Sequence, residues 1–372
     1  YTHYLSRDTV QFLQESVTKK MQFDNTYYQQ DWYLSVVNMY SILPVWDVSL
    51  SVDFQYNKLN AVMRGVGTPF TFPQRYTTWA ALATALNLGK WKLQADVLGT
   101  FVIEKVRNNV EAPDKSEFSP ALIVGYKPFS NQDLNLRAFY KRIFRLPTFN
   151  DLYYAQIGFS QLNPEFTNQF NIGGSYQKTF KTGMIDRIAL QMDVYYAAIT
   201  DKIIAAPTGS SFRWMMTNMG KVESKGVDVS TAVSGHIGLV KLHTNLTYSF
   251  TKAQDFTKIN GKKLSSYGDQ IPYTPWHSGS VIAGAEYGTW ALNYSFIYVG
   301  ERYNGAVNNI PRNYVEPWYT HDFSLQKEFR ICSRYLLKAS VEMNNALNQN
   351  YDVVLNYPMP GRNFRFVIGF SL

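Results

Sequence analysis

The chain has 372 residues, of which 45% are hydrophobic and 16% aromatic, with one cysteine and a formal net charge of +8. No run of about eighteen apolar residues occurs, which excludes a membrane-spanning helix, and the single cysteine, Cys332, excludes an internal disulfide. The positive charge does not indicate nucleic-acid binding, because lysine and arginine are dispersed and form no basic helix or stripe.

Segments in which apolar and polar residues alternate follow one another along the chain. A period of two places successive side chains on opposite faces of a strand, as in 47–57, where Val48, Leu50, Val52 and Phe54 alternate with polar residues. The segments run near ten residues, which suits a tilted strand that crosses a bilayer better than a strand of a soluble sandwich. The predicted strands are 9–21, 32–42, 47–57, 76–88, 91–104, 119–127, 133–142, 166–180, 185–199, 222–235, 239–252, 277–287, 290–300, 319–330, 334–344 and 363–372.

The connections between these strands alternate strictly between short and long. The short turns are 43–46, 89–90, 128–132, 181–184, 236–238, 288–289 and 331–333, and the long loops are about 22–31, 58–75, 105–118, 143–165, 200–221, 253–276, 301–318 and 345–362. This pattern is typical of an all-β, up-and-down antiparallel transmembrane β-barrel, here with about sixteen strands. In bacterial outer-membrane barrels the short turns face the periplasm and the long loops face outside.

Three tryptophans support the membrane assignment independently. Trp46, Trp91 and Trp290 each follow a short turn and share the parity of the apolar residues of their strand. Because amphipathic aromatic rings collect at the boundaries between membrane and water, we expect these rings to point towards lipid at the periplasmic rim.

Four sequence boxes, which together span about 144–372, resemble those of TonB-dependent outer-membrane receptors. FRLPTFNDLY at 144–153, followed by LNPEFTNQFNIG at 162–173, resembles an R-x-P-T-F-x-x-L-Y and L-x-P-E box. NMGKVESKGVD at 218–228, QIPYTPWH at 270–277, and NN at 344–345 with PGRNF at 360–364 resemble three further boxes in the same order. Their phrasing is most similar to receptors of the Bacteroidetes type. As structural roles for the boxes, we expect Arg145, Asn344, Asn345 and Arg362 to satisfy loop carbonyls near the top of the barrel.

The resemblance implies a barrel of twenty-two strands with an N-terminal plug that contacts TonB. About six strands and the plug are missing from this pattern, so we expect residues 9–372 to be the C-terminal portion of such a barrel, with residues 1–8 ending an extracellular loop or forming an incomplete strand. The implied function is TonB-dependent active import of a scarce, bulky nutrient, such as a siderophore or a corrinoid, across the outer membrane of a Gram-negative bacterium. The C-terminus would be periplasmic, no reaction would be catalysed, and no cofactor is implied.

The implied partners are outer-membrane lipid and lipopolysaccharide, the plug and remaining strands, TonB through the plug, and a surface lipoprotein. A passive porin of sixteen strands, which passes small solutes, is the alternative, because that strand number would itself leave a water-filled channel. Haem is not favoured as cargo, since 143–165 contains no histidine, and His277 and His321 lie at strand ends. The sequence also lacks the G-x-S-x-G and H-E-x-x-H motifs of hydrolases.

Candidate ligand-binding residues are aromatic, cationic and thioether side chains in three long loops. Such side chains suit stacking on a planar or macrocyclic ligand. The candidates are Tyr153, Tyr154, Phe212, Arg213, Trp214, Met215, Arg302, Tyr303, Tyr314 and Trp318.

Overall fold

The computed structural model describes residues 2–12, 19–64, 70–108, 110–154, 158–207, 214–331 and 335–371. Within these residues, sixteen strands hydrogen-bond in chain order in one sheet, and the neighbouring strands are antiparallel where their register is defined. Among the described residues, no helix has the length and apolar character needed to cross a membrane.

The strands have the following bounds. They are β1 (Thr2–Phe12), β2 (Lys19–Leu43), β3 (Trp46–Arg64), β4 (Gln74–Leu88), β5 (Trp91–Lys105), β6 (Lys115–Tyr126), β7 (Asp133–Arg145), β8 (Glu165–Thr179), β9 (Ile185–Pro207), β10 (Trp214–Ile237), β11 (Val240–Asp255), β12 (His277–Tyr287), β13 (Trp290–Val299), β14 (Trp318–Ile331), β15 (Tyr335–Asn344) and β16 (Asn363–Ser371). The predicted strand 32–42 and all the predicted strands after it lie inside observed strands, or extend past one end of them by a single residue. The predicted all-β, up-and-down architecture is therefore confirmed.

Two-residue turns join several strands at the predicted short connections. Gly89 and Gly288 each open such a turn with a positive φ, 63° and 59° respectively. Tight hairpin turns require this backbone conformation, which glycine adopts without steric cost. The turn at 331–333 includes residues outside the described ones, among them Cys332.

The strand predicted over 9–21 is wrong in its bounds. Phe12, the last residue of β1, pairs with Lys19, the first residue of β2, so this stretch holds the facing ends of two antiparallel strands. The loop predicted over 22–31 is also wrong, because these residues continue β2 and pair with β1 and β3. Their sequence carries no clear alternation, and cross-strand pairing sets their conformation instead.

The long loop predicted over 200–221 is mostly strand. β9 continues to Pro207 and β10 begins at Trp214. Two apolar residues of the stretch, Ile203 and Met219, are buried. Their burial and the continuation of both strands explain why the stretch is ordered. Because polar and apolar residues do not alternate regularly here, the sequence did not indicate these strand extensions.

Side-chain exposure follows the predicted alternation in β3. Leu50 is 49%, Val52 45% and Phe54 39% exposed, whereas Ser51 and Asp53 between them are partly buried. Because one row of large apolar side chains is left uncovered while its polar neighbours are shielded, the strand has the two unlike faces expected of a barrel wall in lipid.

Contacts divide the chain into two compact units. The first comprises Tyr1–Ile123, Lys141–Thr167 and Thr200–Met219, and the second comprises Val124–Tyr140, Asn168–Ile199 and Gly220–Leu372. The buried apolar cluster of the first unit consists of Tyr27, Leu59, Ala61, Phe70, Ala112, Phe149, Leu152, Tyr153, Leu162 and Ile203. These residues belong to strand ends and long loops, so the loops of this unit form a packed layer.

Three long loops of the second unit also contain regular structure. The β11–β12 loop (256–276) holds the paired strands Lys258–Ile259 and Lys262–Lys263. The β13–β14 loop (300–317) pairs Arg302–Tyr303 with Tyr314–Val315, and the β15–β16 loop (345–362) pairs Asp352–Val354 with Tyr357–Pro358.

Candidate ligand-binding site

A single turn of helix occupies the first receptor box. The helix α1 (Phe149–Tyr153) begins after Thr148, whose hydroxyl accepts the backbone N–H of Asp151 at 3.2 Å. The carboxylate of Asp151 accepts the backbone N–H of Thr148 at 2.8 Å in return. This reciprocal cap satisfies two donors that the helix start would otherwise leave unpaired.

Arg145 lies beside two carboxylates in the first unit. Its guanidinium is 3.3 Å from Glu165 and 3.7 Å from Asp151. The Glu165 carboxylate also accepts the backbone N–H of Ile203 at 3.0 Å. The expectation that Arg145 satisfies carbonyls is therefore wrong, since this arginine connects the ends of the box through ion pairs.

Arg75 is the arginine of this unit that holds a box carbonyl. Its guanidinium is buried, forms an ion pair with Glu104, and donates to the carbonyl of Pro147 at 2.9 Å. It also lies over the ring of Phe149, with 5.0 Å between guanidinium carbon and ring centroid. This contact could not be predicted from the sequence, because Arg75 lies on β4, 72 residues before Pro147.

Two candidate tyrosines lie at the C-terminal end of α1, and one of them is buried. Tyr153 is 7% exposed within the apolar cluster, and burial, followed by the charge of Glu104, raises its pKa to about 12. Tyr154 is half-buried and stacks on Tyr27 with ring centroids 5.6 Å apart. Tyr153 therefore supports the loop layer, and Tyr154 is the more accessible of the pair.

The candidates between β9 and β10 are described only in part. Phe212 and Arg213 lie outside the described residues, as does the side chain of Trp214, whose backbone opens β10. Met215 follows on the same strand and is 44% exposed. Among the described candidates of this stretch, Met215 thus presents its side chain to solvent from a strand.

The four candidates of the second unit differ in accessibility. Tyr314 is 38% exposed and packs edge-to-face against the half-buried Tyr303, with 5.8 Å between ring centroids. Trp318 is half-buried and stacks on Tyr351 at 4.6 Å. Arg302 is only 3% exposed.

The guanidinium of Arg302 is committed to main-chain carbonyls. One terminal nitrogen donates to Val353 at 2.9 Å. The other donates to Asp352 at 3.1 Å and to Glu316 at 3.2 Å. Burial lowers the pKa of this guanidinium, and its hydrogen bonds indicate a role in loop structure.

The last box places asparagines at the end of β15. Asn345 is 3% exposed, and its amide donates to the carbonyls of Gln349 at 2.8 Å and Pro360 at 3.3 Å. This contact agrees with the expectation for Asn345. Asn344 instead donates to the side chain of Asn363, and Arg362 donates through its backbone N–H to Asn348.

His277 of the third box and His321 of β14 each contact an aromatic residue. The His277 ring lies 2.9 Å from the hydroxyl of Tyr248 through Nδ1, and the His321 ring lies 2.8 Å from the hydroxyl of Tyr294. Among the described residues, no group of three or more His, Cys, Asp and Glu side chains is placed to hold a metal ion.

Sequence reasoning missed two buried polar residues, one at the end of β11 and one in the β11–β12 loop. Asp255, 1% exposed, accepts hydrogen bonds from Thr257 and Ser266. Gln270, 3% exposed, donates to the carbonyl of Glu301 at 3.1 Å. The Asp-x-Thr spacing at 255–257 is a known turn-forming pattern and would have indicated the first, whereas nothing local indicates the second.

The chain matches the protein family described as TonB dependent receptor-like, beta-barrel, over residues 1–346. It belongs to this family. The resemblance drawn from the receptor boxes is thereby confirmed, and the sheet described above is part of the TonB-dependent receptor β-barrel fold.

Solved structures of this family have the same fold. The ferric citrate transporter FecA, in its unliganded form, matches with a TM-score of 0.69 at 13% identity over 99% of this chain and 57% of its own. The copper transporter OprC matches with a TM-score of 0.70 at 15% identity over 95% of this chain and 58% of its own. BauA, the ferric preacinetobactin receptor from Acinetobacter baumannii, matches with a TM-score of 0.69 at 13% identity over 99% and 58% of the two chains. The chain thus spans less than two thirds of the length of these receptors.

Proposed function

We propose that this chain forms barrel wall and ligand-binding loops of a receptor that imports a scarce, bulky nutrient across the outer membrane with energy delivered by TonB. The observation that carries the proposal is family membership over residues 1–346. The similar structures are those of a ferric citrate transporter, a copper transporter and a ferric preacinetobactin receptor. They favour a metal chelate such as a ferric siderophore as cargo, with a corrinoid as a further candidate. A receptor of this kind catalyses no reaction.

The proposed orientation places the long loops outside the cell and the short turns and the C-terminus in the periplasm of a Gram-negative bacterium. Trp91 and Trp290, each at the exit of a short turn, are 47% and 44% exposed. Exposed indoles at strand ends support contact with the boundary region of a lipid bilayer. Lipid and lipopolysaccharide would cover the apolar rows of the strands.

A plug and further strands are proposed as partners within the same receptor. Within the described residues, β16 hydrogen-bonds to β15 alone, and it exposes Phe366 and Ile368 at 74% and 77%. A strand edge with unpaired backbone groups is unfavourable in lipid, where water cannot satisfy them. The open edge therefore supports pairing with additional strands. TonB would act through the plug, and a surface lipoprotein would assist capture.

The proposed ligand contacts are the accessible candidates of each unit, taken separately. Met215 and Tyr314 are exposed, and Tyr154, Tyr303 and Trp318 are half-buried. Phe212, Arg213 and Trp214 remain proposals from sequence. Tyr153 and Arg302 are proposed as framework, because their side chains are buried.

Uptake assays in cells test the proposed function. A strain that lacks the receptor gene would be complemented with the complete gene and supplied with radiolabelled ferric citrate, a ferric catecholate siderophore or cyanocobalamin. We expect saturable uptake of one of these, lost when TonB is deleted. Non-saturable passage of small sugars that is indifferent to TonB would instead establish the passive porin.

The same assay tests the contact residues. We expect Tyr314→Ala to weaken saturable uptake, because the ring is exposed in the β13–β14 loop. Tyr287→Ala is the matched control, since Tyr287 is 56% exposed beside the short turn that follows β12. Equal uptake by both variants would remove Tyr314 from the proposed site.

A further inference from the structure

Three successive long loops of the second unit are joined by partly buried hydrogen bonds, and three of these come from one buried arginine. Arg302 belongs to the β13–β14 loop and donates within it to the carbonyl of Glu316. The same guanidinium donates to the carbonyls of Asp352 and Val353 in the β15–β16 loop. We propose that Arg302 is a positioning residue that couples the β11–β12, β13–β14 and β15–β16 loops into one body.

The chemistry of the contact explains why an arginine stands at this position. Three carbonyls approach one buried side chain, and a guanidinium offers donors in a planar fork that can reach several acceptors at fixed angles. A lysine ammonium would keep the charge but is a compact group on a flexible stem. A lysine at position 302 would therefore hold fewer of the three carbonyls at the required angles, and at least one partly buried hydrogen bond would be lost.

Tyr273 extends the connection to the β11–β12 loop. Its backbone N–H donates to the carbonyl of Tyr303 at 2.8 Å, next to Arg302 in the chain. Its hydroxyl accepts the backbone N–H of Leu355 in the β15–β16 loop at 3.4 Å. One residue of the QIPYTPWH box thus contacts both other loops, and burial raises the pKa of its phenol, which keeps the hydroxyl neutral.

Gln270 provides a second bridge between the β11–β12 and β13–β14 loops. Its side-chain amide donates to the carbonyl of Glu301 at 3.1 Å, one residue before Arg302. Its backbone N–H donates to the amide oxygen of Asn308 at 2.6 Å, and the Asn308 amide donates back to the Gln270 carbonyl at 3.1 Å. The reciprocal bonds fix the mutual position of these loops independently of Arg302.

The three loops therefore cannot be displaced separately without breaking partly buried hydrogen bonds. A ligand that draws one loop inward displaces the other two, since each bond left unmade strands a buried donor or acceptor. The coupling follows from contacts among the loops themselves. Its use in ligand capture rests on the proposed function.

Amide hydrogen exchange of the complete receptor in detergent, followed by mass spectrometry, tests the coupling. For Arg302→Met we expect exchange about tenfold faster in the β15–β16 and β13–β14 loops, and a smaller increase in the β11–β12 loop. Strands β12–β16 should keep their protection. Arg312→Met is the matched control, since Arg312 is exposed in the same loop. Faster exchange confined to the β13–β14 loop would overturn the proposal.

Two milder variants keep the test decisive if Arg302→Met does not fold. Arg302→Lys retains the charge, and we expect it to reproduce the faster exchange in the β15–β16 loop. Tyr273→Phe removes only the hydroxyl that accepts the Leu355 N–H, and we expect faster exchange at 352–358. Wild-type exchange in both variants would contradict coupling, whatever the uptake assays show. If the variants show the faster exchange but import the ligand as the wild type does, the loops are coupled in the wild type and the coupling has no role in ligand capture.

Discussion

The guanidinium of Arg75 lies 5.0 Å from the ring centroid of Phe149, so a strand residue supports the helix of the first receptor box directly. The same side chain pairs with the buried carboxylate of Glu104. Helix α1 thereby rests on an ion pair between β4 and β5.

We predict that Arg75→Met lowers the free energy of unfolding by about 3–5 kcal/mol, because removal of one partner leaves a buried charge on Glu104 unpaired. The double variant Arg75→Met with Glu104→Gln should regain part of this loss. Denaturant unfolding in detergent measures both. Lys127→Met is the control, since its pair with Asp133 is half exposed and screened by solvent. Equal losses for Arg75→Met and Lys127→Met would contradict the role of burial.

The alternation of exposure in β3 predicts a difference between neighbouring substitutions. Val52→Arg should lower stability by roughly 2–4 kcal/mol if the site lies at the middle of the bilayer, because a charge on the lipid-facing row meets hydrocarbon. Ser51→Arg, one residue away on the shielded row, should cost less. Folding into lipid vesicles at a series of urea concentrations measures the two changes. If Val52→Arg is tolerated as well as Ser51→Arg, the assigned faces are wrong.

The strand pattern could be predicted from the sequence because alternation and turn glycines are local signals. The start of β2 and the extensions of β9 and β10 could not, because Lys19, Ile203 and Met219 lie in stretches without alternation, where pairing and burial set the conformation. For the candidate ligand-binding residues, the sequence indicated the loops that carry them and not their accessibility. Whether an aromatic or cationic side chain faces solvent depends on packing among distant segments, which local sequence does not show. For this reason Tyr153 and Arg302 were predicted as ligand contacts although both are buried.

The assignment of the Asn345 amide predicts the effect of a single-atom change. Asn345→Asp should lower the free energy of unfolding by about 1–3 kcal/mol, because a carboxylate cannot donate to the carbonyls of Gln349 and Pro360. Aspartate tolerates the positive φ of 50° much as asparagine does, so the backbone should persist. Asn350→Asp, on the exposed part of the same loop, is the control. Indistinguishable melting temperatures would count against the hydrogen bonds.

The raised pKa of Tyr153 predicts a loss of stability at alkaline pH. A phenol with an ordinary pKa near 10 when unfolded and about 12 when folded binds its proton more tightly in the folded state. Its contribution to stability is complete below pH 10 and is lost as the pH rises from 10 through 12. The difference in phenolate absorbance between wild type and Tyr153→Phe should show one tyrosine that ionises near pH 12. Ionisation of that tyrosine near pH 10 would show that its burial is absent in solution.

β9 and β10 contain 23 and 24 residues, about twice what a tilted strand needs to cross the hydrocarbon core. Each strand therefore extends well past the bilayer as ladder-bonded backbone, and Met215 is carried on that extension. Because this backbone is already ordered in the folded protein, it loses little conformational entropy when a ligand binds. In the proposed importer, selectivity between chemically similar cargoes should then depend, at this place, on side-chain fit far more than on loop rearrangement.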